Sequence, residues 1–464
     1  MMSHSTFGNL ILSTDSYKTS HYRQYPEGAN AMYSYVESRG GSFDKVLFFG
    51  LQAILKQYLS QPLTEADIDE AREVLAMHGL PFNEAGFRRI IDVHGGYMPI
   101  RIWAVPEGSI VDTSIPLMAI ESTDPELFWL VSYLETLLLR VWYPTTVATQ
   151  SWHIRQMIGE YLRRTADDTS GLAFKLHDFG ARGVSSQESA ALGGMAHLVN
   201  FYGTDTLVGL LAARRYYNAP AACGYSIPAA EHSTITSWGR EDEFAAYRNM
   251  LEEFAQPGKL VAVVSDSYDI FRAVQEGWGG ELRQQVIDSG ATLVVRPDSG
   301  DPVEVVAKVV RLLDQSFGHT INRNGFKLLK HVRVIQGDGV DKLSIRMILG
   351  HLEALGYSAD NVAFGMGGAL LQQVHRDTQK FAMKCSAIRV GDVWRDVYKE
   401  PITDQGKKSK RGRIAAYKDA NGWRSGLLDP SAPDLAMQVV WENGKQLLDD
   451  DFDTIRRRAN SDWE

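Results

Sequence analysis

The sequence contains only two cysteines in 464 residues, Cys223 and Cys385. They support neither a disulfide framework nor a cysteine-based zinc site, and a reduced, cytoplasmic setting is the expectation. Basic residues are in deficit, with 48 Lys and Arg against 57 Asp and Glu and a net charge of −9. Such a chain is poorly suited to coating nucleic acid or an anionic membrane, so neither is expected as a partner. The start, MMSHSTFGNLILSTDSY, lacks a basic segment followed by a long apolar one and does not read as a signal peptide. Long hydrophobic runs are missing too. The most apolar stretch, Leu127–Trp142, is interrupted by Glu135 and Arg140 and is too short to cross a bilayer, so it reads as a buried helix. Several chemistry-bearing motifs are absent: a GxxxxGK[ST] phosphate loop, a GxGxxG turn between strand and helix, HExxH, and GxSxG. The histidines lack metal-ligand spacing, and no protein-built metal site is expected.

The composition, 44% hydrophobic and 10% aromatic, supports a large core. The second half has a rhythm of short Val/Ile/Leu-rich runs, each ending in polar residues and followed by a helix-like segment. The runs are Phe174–His177, Leu260–Val264, Thr292–Val295, Val332–Ile335 and Val362–Phe364, with less regular ones at Leu198–Phe201 and Tyr225–Ile227. Alternating strands and helices predict parallel βαβ units, and near-continuous apolar strands predict burial on both faces. Seven or eight units in a row predict an α/β fold of the (β/α)-barrel kind over residues 151–384. The polar strand ends then converge on one mouth. Residues 1–150 read as a mixed α+β region, with strands at Met32–Glu37, Tyr97–Ala104 and Ser109–Ile120, rejoined by C-terminal strands within 385–464. The run KKSKRGR, from Lys407 to Arg413, reads as a mobile basic loop or a flap over phosphate.

Certain strand ends carry chemistry. Gly337-Asp338-Gly339 and Gly365-Met366-Gly367-Gly368 each follow a strand and precede a helix. Backbone N–H groups there can meet a phosphate, unless these are simply tight turns. Arg296 and Asp298 in RPDSGDP are either a structural pair or groups for a phosphate and a sugar hydroxyl or hydrated Mg²⁺. His232 lies beside Glu231, with Asp266 at the next strand end. A carboxylate on one ring nitrogen fixes the tautomer and makes the other a candidate nucleophile toward phosphorus; a structural histidine is the alternative. Phe179 can stack on a flat ligand or pack in the core, and Arg182 can reach a phosphate. Asp205 can accept from an amide or cap the next helix.

Taken together, TDSYKTSHYRQYP, KLHDFGARGVSSQE, HLVNFYGTDT, GYSIPAAEHSTIT, VVSDSYDI, RPDSGDP, VIQGDGVD and FGMGGALLQ resemble the nicotinamide phosphoribosyltransferase family, in family order along almost the whole chain. The resemblance implies an atypical (β/α) barrel of the type II phosphoribosyltransferase kind plus a mixed α+β domain. It further implies a homodimer with active sites at the subunit interface. The implied reaction joins nicotinamide to 5-phosphoribosyl 1-pyrophosphate, with Mg²⁺, giving nicotinamide mononucleotide and pyrophosphate in NAD salvage. ATP hydrolysis is coupled through a phosphohistidine. By position, His232 is implied as that histidine, oriented by Glu231 and Asp266. Phe179 and a partner-supplied Tyr17 sandwich the pyridine. Asp205 accepts the carboxamide, with Asp15 nearby. Arg182 and Arg296 meet phosphate or the ring's exocyclic group, and Asp298 holds ribose hydroxyls. Asp338, Gly339, Gly367 and Gly368 cradle the 5′-phosphate, while Arg376 and Lys384 of the partner add positive charge. His177 and Arg39 also match family site positions. Vertebrate-type members carry Tyr, Ser and Ser where this chain has Phe174, Ala262 and Met366. The nearest rival activity is nicotinate phosphoribosyl transfer, which an Asp205 carboxylate would disfavour by repelling the acid. A catalytically silent barrel acting as a signalling protein is the other alternative, opposed by the intact motifs.

Overall fold

The computed structural model describes residues 8–219, 222–400 and 409–463. The chain divides into two compact units. One comprises Gln150–Leu211 and Pro220–Val374, and the other Met1–Thr149, Ala212–Ala219 and His375–Glu464. Residues 375–384 thus fall outside the barrel unit, because they lead into a strand that pairs with the N-terminal sheet.

In the barrel unit, six strands form one parallel sheet: β1 (Leu176–Asp178), β2 (Gly203–Thr204), β3 (Leu260–Val264), β4 (Thr292–Arg296), β5 (Val332–Gln336) and β6 (Val362–Met366), in the order β2-β1-β6-β5-β4-β3. Val, Ile and Leu fill β3–β5 and nearly every position is at least half-buried, as strands covered on both faces require. Seven or eight units were the expectation; six strands pair in the sheet, and the seventh, the less regular run at Tyr225–Ile227, is joined by single pairings. Tyr225 bridges β2 and Ala229 bridges β3, each by a single parallel pairing. Four backbone bonds make this seam: Thr204 N–H to Tyr225 O, Tyr225 N–H to Tyr202 O, Ala262 N–H to Pro228 O and Ala230 N–H to Ala262 O, at 2.7–3.0 Å. One short segment therefore joins both edges of the curled sheet. Leu198–Phe201, expected as a strand, instead ends the helix Gln187–Leu198. There Phe201 stacks on His197 with ring centroids 5.3 Å apart. The helix starts follow their signals. Asp301 caps Pro302–Phe317 with Pro302 in the first turn, and Asp341 caps Lys342–Ala354. Ser186 caps Gln187–Leu198, accepting the Ser189 N–H.

The other unit is built on a seven-stranded antiparallel sheet. Its order is Val393–Asp396, Phe381–Val390, Ala29–Ser38, Pro116–Ser122, Ile100–Ala104, Gln438–Glu442 and Lys445–Gln446. Strands from both chain ends thus share one sheet. Its core gathers Met32, Tyr33, Val36, Ile102, Met118, Ile120 and Trp441. The stretch expected as one strand over Ser109–Ile120 is split, because Ser114 takes a positive φ between Ile110–Asp112 and Pro116–Ser122. Lys407 and Lys408 of the basic run lie outside the described residues. Its described members are tied down: Lys410 to Glu37, Arg411 to Glu400 at 3.0 Å and Arg413 to Glu121 at 2.8 Å. Among the described residues, no helix is long and apolar enough to cross a membrane.

Candidate active site

Residues at the C-terminal ends of the six parallel strands make the candidate site. Phe179 follows β1. Its N–H donates to Met366 O of β6 at 3.0 Å, which fixes the backbone from which the ring projects. The ring lies flat against a glycine: a Cβ built on Gly365 would come within 1.9 Å of Phe179 Cε2. Gly337, after β5, is the next wall, with a built Cβ 3.4 Å from the same ring carbon and 3.2 Å from both Arg296 Nε and Asp298 Oδ1. The Arg296 guanidinium stands 5.6 Å from the Phe179 ring centroid. Asp298 holds it by a fork, Nη2 to Oδ2 at 2.7 Å and Nε to Oδ1 at 3.2 Å, and both side chains are largely buried. Gly365 is thus required by close approach, Gly337 leaves little room for a side chain, and a cation is locked in orientation beside an aromatic face.

Asp205, exposed at the end of β2, accepts from the Ser226 hydroxyl through Oδ1 at 2.6 Å. Oδ2 has no hydrogen-bond partner among the described residues. His177 of β1 packs its ring on Gly203, where a built Cβ would lie 2.4 Å from Nδ1, and its Nε2 bonds to Phe174 O at 3.1 Å. Burial holds its pKa below the usual imidazole value, only partly offset by the Asp205 charge. Arg182 is exposed in the turn Ala181–Gly183. Gly339 adopts φ +64°, the left-handed conformation its turn requires, with Asp338 exposed before it. Gly367 precedes the short helix Gly368–Leu371, and nothing lies within 4 Å of a Cβ built on Gly368.

The seam segment runs directly into His232, the first residue of the helix His232–Thr236. Its Nε2 is 3.0 Å from Oδ1 of Asp266, which follows β3 and whose side chain is 4% exposed against 47% for the histidine. Nδ1 makes no hydrogen bond among the described residues. The Glu231 carboxylate takes the Ser233 hydroxyl rather than the imidazole, so of the two expected orienting groups Asp266 is the one in hydrogen-bond contact.

The remaining expected residues belong to the other unit. Asp15 bonds the Thr136 hydroxyl at 2.7 Å, and Tyr17 is 58% exposed on the turn Ser16–Arg23. Arg39 pairs with Glu37 at 2.9 Å and Arg376 with Asp377 at 3.1 Å. Burial lowers the Lys384 pKa, Glu135 raises it, and the charges of Arg39, Lys399 and Arg376 lower it further. Four cations therefore share one neighbourhood in a chain of net charge −9. Lys399 went unnoticed in the sequence because no motif marks it. Of the three departures, Phe174 stands 5.5 Å from Tyr202 and 6.0 Å from Tyr225, Ala262 joins Val294 and Ile335 in a small apolar cluster against Phe179, and Met366 is buried at the end of β6.

A curled parallel sheet with an antiparallel-sheet unit, its strand ends lined by glycines, a locked Arg–Asp pair and an aromatic ring, is the architecture of a type II phosphoribosyltransferase. The solved structure of human nicotinic acid phosphoribosyltransferase shares this fold at a TM-score of 0.61, with 16% identity over 97% of this chain and 93% of that one. The nicotinate-nucleotide pyrophosphorylase of Pyrococcus furiosus does so at 0.60, with 15% identity over 99% and 98%. In sequence, residues 174–445 match the nicotinate phosphoribosyltransferase (NAPRTase) family and residues 9–102 the nicotinamide phosphoribosyltransferase N-terminal domain. Nicotinamide phosphoribosyltransferase of Xanthomonas campestris pv. campestris (strain 8004) is 63% identical over 98% of both chains. That of Acinetobacter baylyi is 32% identical over 97% of both. The chain belongs to the nicotinate phosphoribosyltransferase family and, within it, to the nicotinamide phosphoribosyltransferases.

Proposed function

We propose that this chain transfers the 5-phosphoribosyl group of 5-phosphoribosyl 1-pyrophosphate to nicotinamide, forming nicotinamide mononucleotide and pyrophosphate for NAD salvage. The observation that carries the reading is the pairing of a fixed aromatic face, Phe179 on Gly365, with an amide acceptor, Asp205, whose second oxygen is open. The ring holds the pyridine by stacking and Asp205 accepts the carboxamide N–H. The pyridine nitrogen then forms a bond to the anomeric carbon as the carbon–oxygen bond to pyrophosphate breaks. Positive charge builds on the sugar and negative charge on the leaving group. Positioning and neutralisation therefore matter more than a strong base. Arg296 and Arg182 serve phosphate or the ring's exocyclic group. Asp298, holding Arg296, keeps lone pairs for ribose hydroxyls. Asp338, Gly339, Gly367 and Gly368 receive the 5′-phosphate. In a homodimer, Tyr17, Arg376 and Lys384 come from the partner, and Asp15, Arg39 and His177 match further family site positions. Mg²⁺ would be carried mainly by the substrate's phosphates. When bound, the ion offsets charge on departing pyrophosphate.

His232 is the residue through which ATP hydrolysis is coupled. With Nε2–H donating to Asp266, the Nδ1 lone pair attacks the γ-phosphorus, the bond to the ADP oxygen breaks, and Asp266 stabilises the charged ring. Product formation with nicotinamide, nicotinic acid and ATP varied independently tests the reading. Nicotinamide preferred and stimulated by ATP is the expected result. Preference for the acid overturns the substrate. An H232A variant that loses ATP hydrolysis yet keeps the wild-type dependence of yield on ATP overturns the coupling.

A further inference from the structure

Asp178 is the last residue of β1 and is wholly buried. Among the described residues it forms no ion pair. Burial, more than the nearby Asp205 charge, pushes its pKa up to about 6. An unpaired buried carboxylate is a poor stabiliser, since an apolar side chain of similar size would fill the space without the desolvation cost. Its contacts show what it supplies instead. Oδ1 accepts the Gly180 N–H at 2.7 Å, which closes the turn carrying Phe179. That turn has no slack: a Cβ on Gly180 would sit 2.6 Å from Leu371 Cγ and 3.1 Å from Asp178 Oδ1. The backbone carbonyl of Asp178 accepts the Asp205 N–H at 2.9 Å. Oδ2 lies against the Cα face of Gly194, where a built Cβ would be 3.2 Å away, beside Thr206 of the β2 loop. One residue thus ties the turn bearing the aromatic ring to the strand end bearing the amide acceptor.

Resting on the nicotinamide reading above, we propose that Asp178 is a positioning residue for nicotinamide. It acts by fixing the spacing between the Phe179 ring and the Asp205 carboxylate, without itself touching substrate. The side chain governs the turn and the backbone governs the strand end, so a side-chain substitution loosens the ring relative to the acceptor and leaves the phosphate glycines in place.

The test is steady-state kinetics of wild type, D178A and D178N, with KM for nicotinamide and for 5-phosphoribosyl 1-pyrophosphate measured separately beside the melting temperature. Losing the charge-assisted bond to the Gly180 N–H should raise KM for nicotinamide about tenfold in D178A, with the other KM within about twofold of wild type. D178N keeps an acceptor oxygen and should return the nicotinamide value to within about threefold of wild type, still measurably raised. Equal increases in both KM values with no rescue by D178N would mean a merely structural role and overturn the proposal. An unchanged nicotinamide KM in D178A overturns it as well. Should D178A not fold, D178N decides alone, and a nicotinamide KM equal to wild type refutes it. A wild type inactive on nicotinamide overturns both this inference and the substrate reading, whereas an active wild type with an indifferent D178A overturns this inference only.

Discussion

The Phe179 ring rests on Gly365 so closely that a single methyl group should separate folding from catalysis. Gly365 has no positive φ, so alanine suits its backbone and the G365A perturbation is purely steric. The new Cβ would meet three ring atoms, Cε2 at 1.9 Å, Cδ2 at 2.2 Å and Cζ at 2.7 Å. Restoring an ordinary contact of 3.4 Å requires the ring to move by about 1.5 Å. It cannot move freely, because Gly337 and the forked Arg296 bound the same space and its backbone is held to Met366. Overpacking of this kind costs about 1–3 kcal/mol of stability. A stacking face displaced by more than an ångström should cost about 100-fold in kcat/KM for nicotinamide. The assay is kcat/KM for nicotinamide at saturating 5-phosphoribosyl 1-pyrophosphate, paired with a thermal melt. A folded G365A enzyme with kcat/KM within threefold of wild type would refute the claim that this ring, in this position, receives the pyridine.

Replacing Asp205 removes the charge that, on the proposed reading, repels nicotinate. D205N should narrow the preference for nicotinamide over nicotinic acid by about tenfold or more, read from the ratio of the two kcat/KM values, and an unchanged ratio would place the discrimination elsewhere. Glu107 is fully buried, accepting from Gly50 N–H, Gln52 N–H and the Tyr217 hydroxyl, and burial lifts its pKa to about 7. With the folded pKa above the unfolded one, the folded state holds the extra proton between about pH 4.5 and 7. This contribution to stability is complete below about pH 4.5 and fades by about 3 kcal/mol as pH rises through 7. Denaturant unfolding across that range should show a steeper decline in wild type than in E107Q, and parallel curves would contradict the assignment.

Much of the site was legible because its groups sit at strand ends, where glycine, aspartate and proline punctuate apolar runs. Asp301-Pro302 announced its helix, and the glycine pairs marked the late loops. The proximity of His232 to Asp266 followed from placing both at neighbouring strand ends. What stayed hidden depends on contacts between distant residues. Nothing local says that Gly365 is small because Phe179, 186 positions earlier, lies on it. Asp178 and Glu107 looked like ordinary acids, since burial belongs to the fold and not to the residue. Leu198–Phe201 misled because a short apolar run fits a buried helix end as well as a strand. The seam showed only as the less regular run Tyr225–Ile227, because the segment pairs only at Tyr225 and Ala229 and so lacks a strand's continuous pattern.

That seam sets an order of opening. Around the ring of strands, the segment between β2 and β3 is held by four backbone bonds that make two single pairings, while the β3–β4 contact runs through five consecutive residues. Amide protons along the seam should therefore exchange with solvent before those of β3–β6, because the sparsest hydrogen bonding opens at the lowest free energy. His232 hangs from this loosest stave and Phe179, Arg296 and the glycine loops from firmer ones. A partial opening would part the histidine from Asp266, and Ser226 from Asp205, while Phe179 and Arg296 stayed in place. If His232 couples ATP as proposed, heat or denaturant should uncouple ATP use from phosphoribosyl transfer before it abolishes the transfer itself.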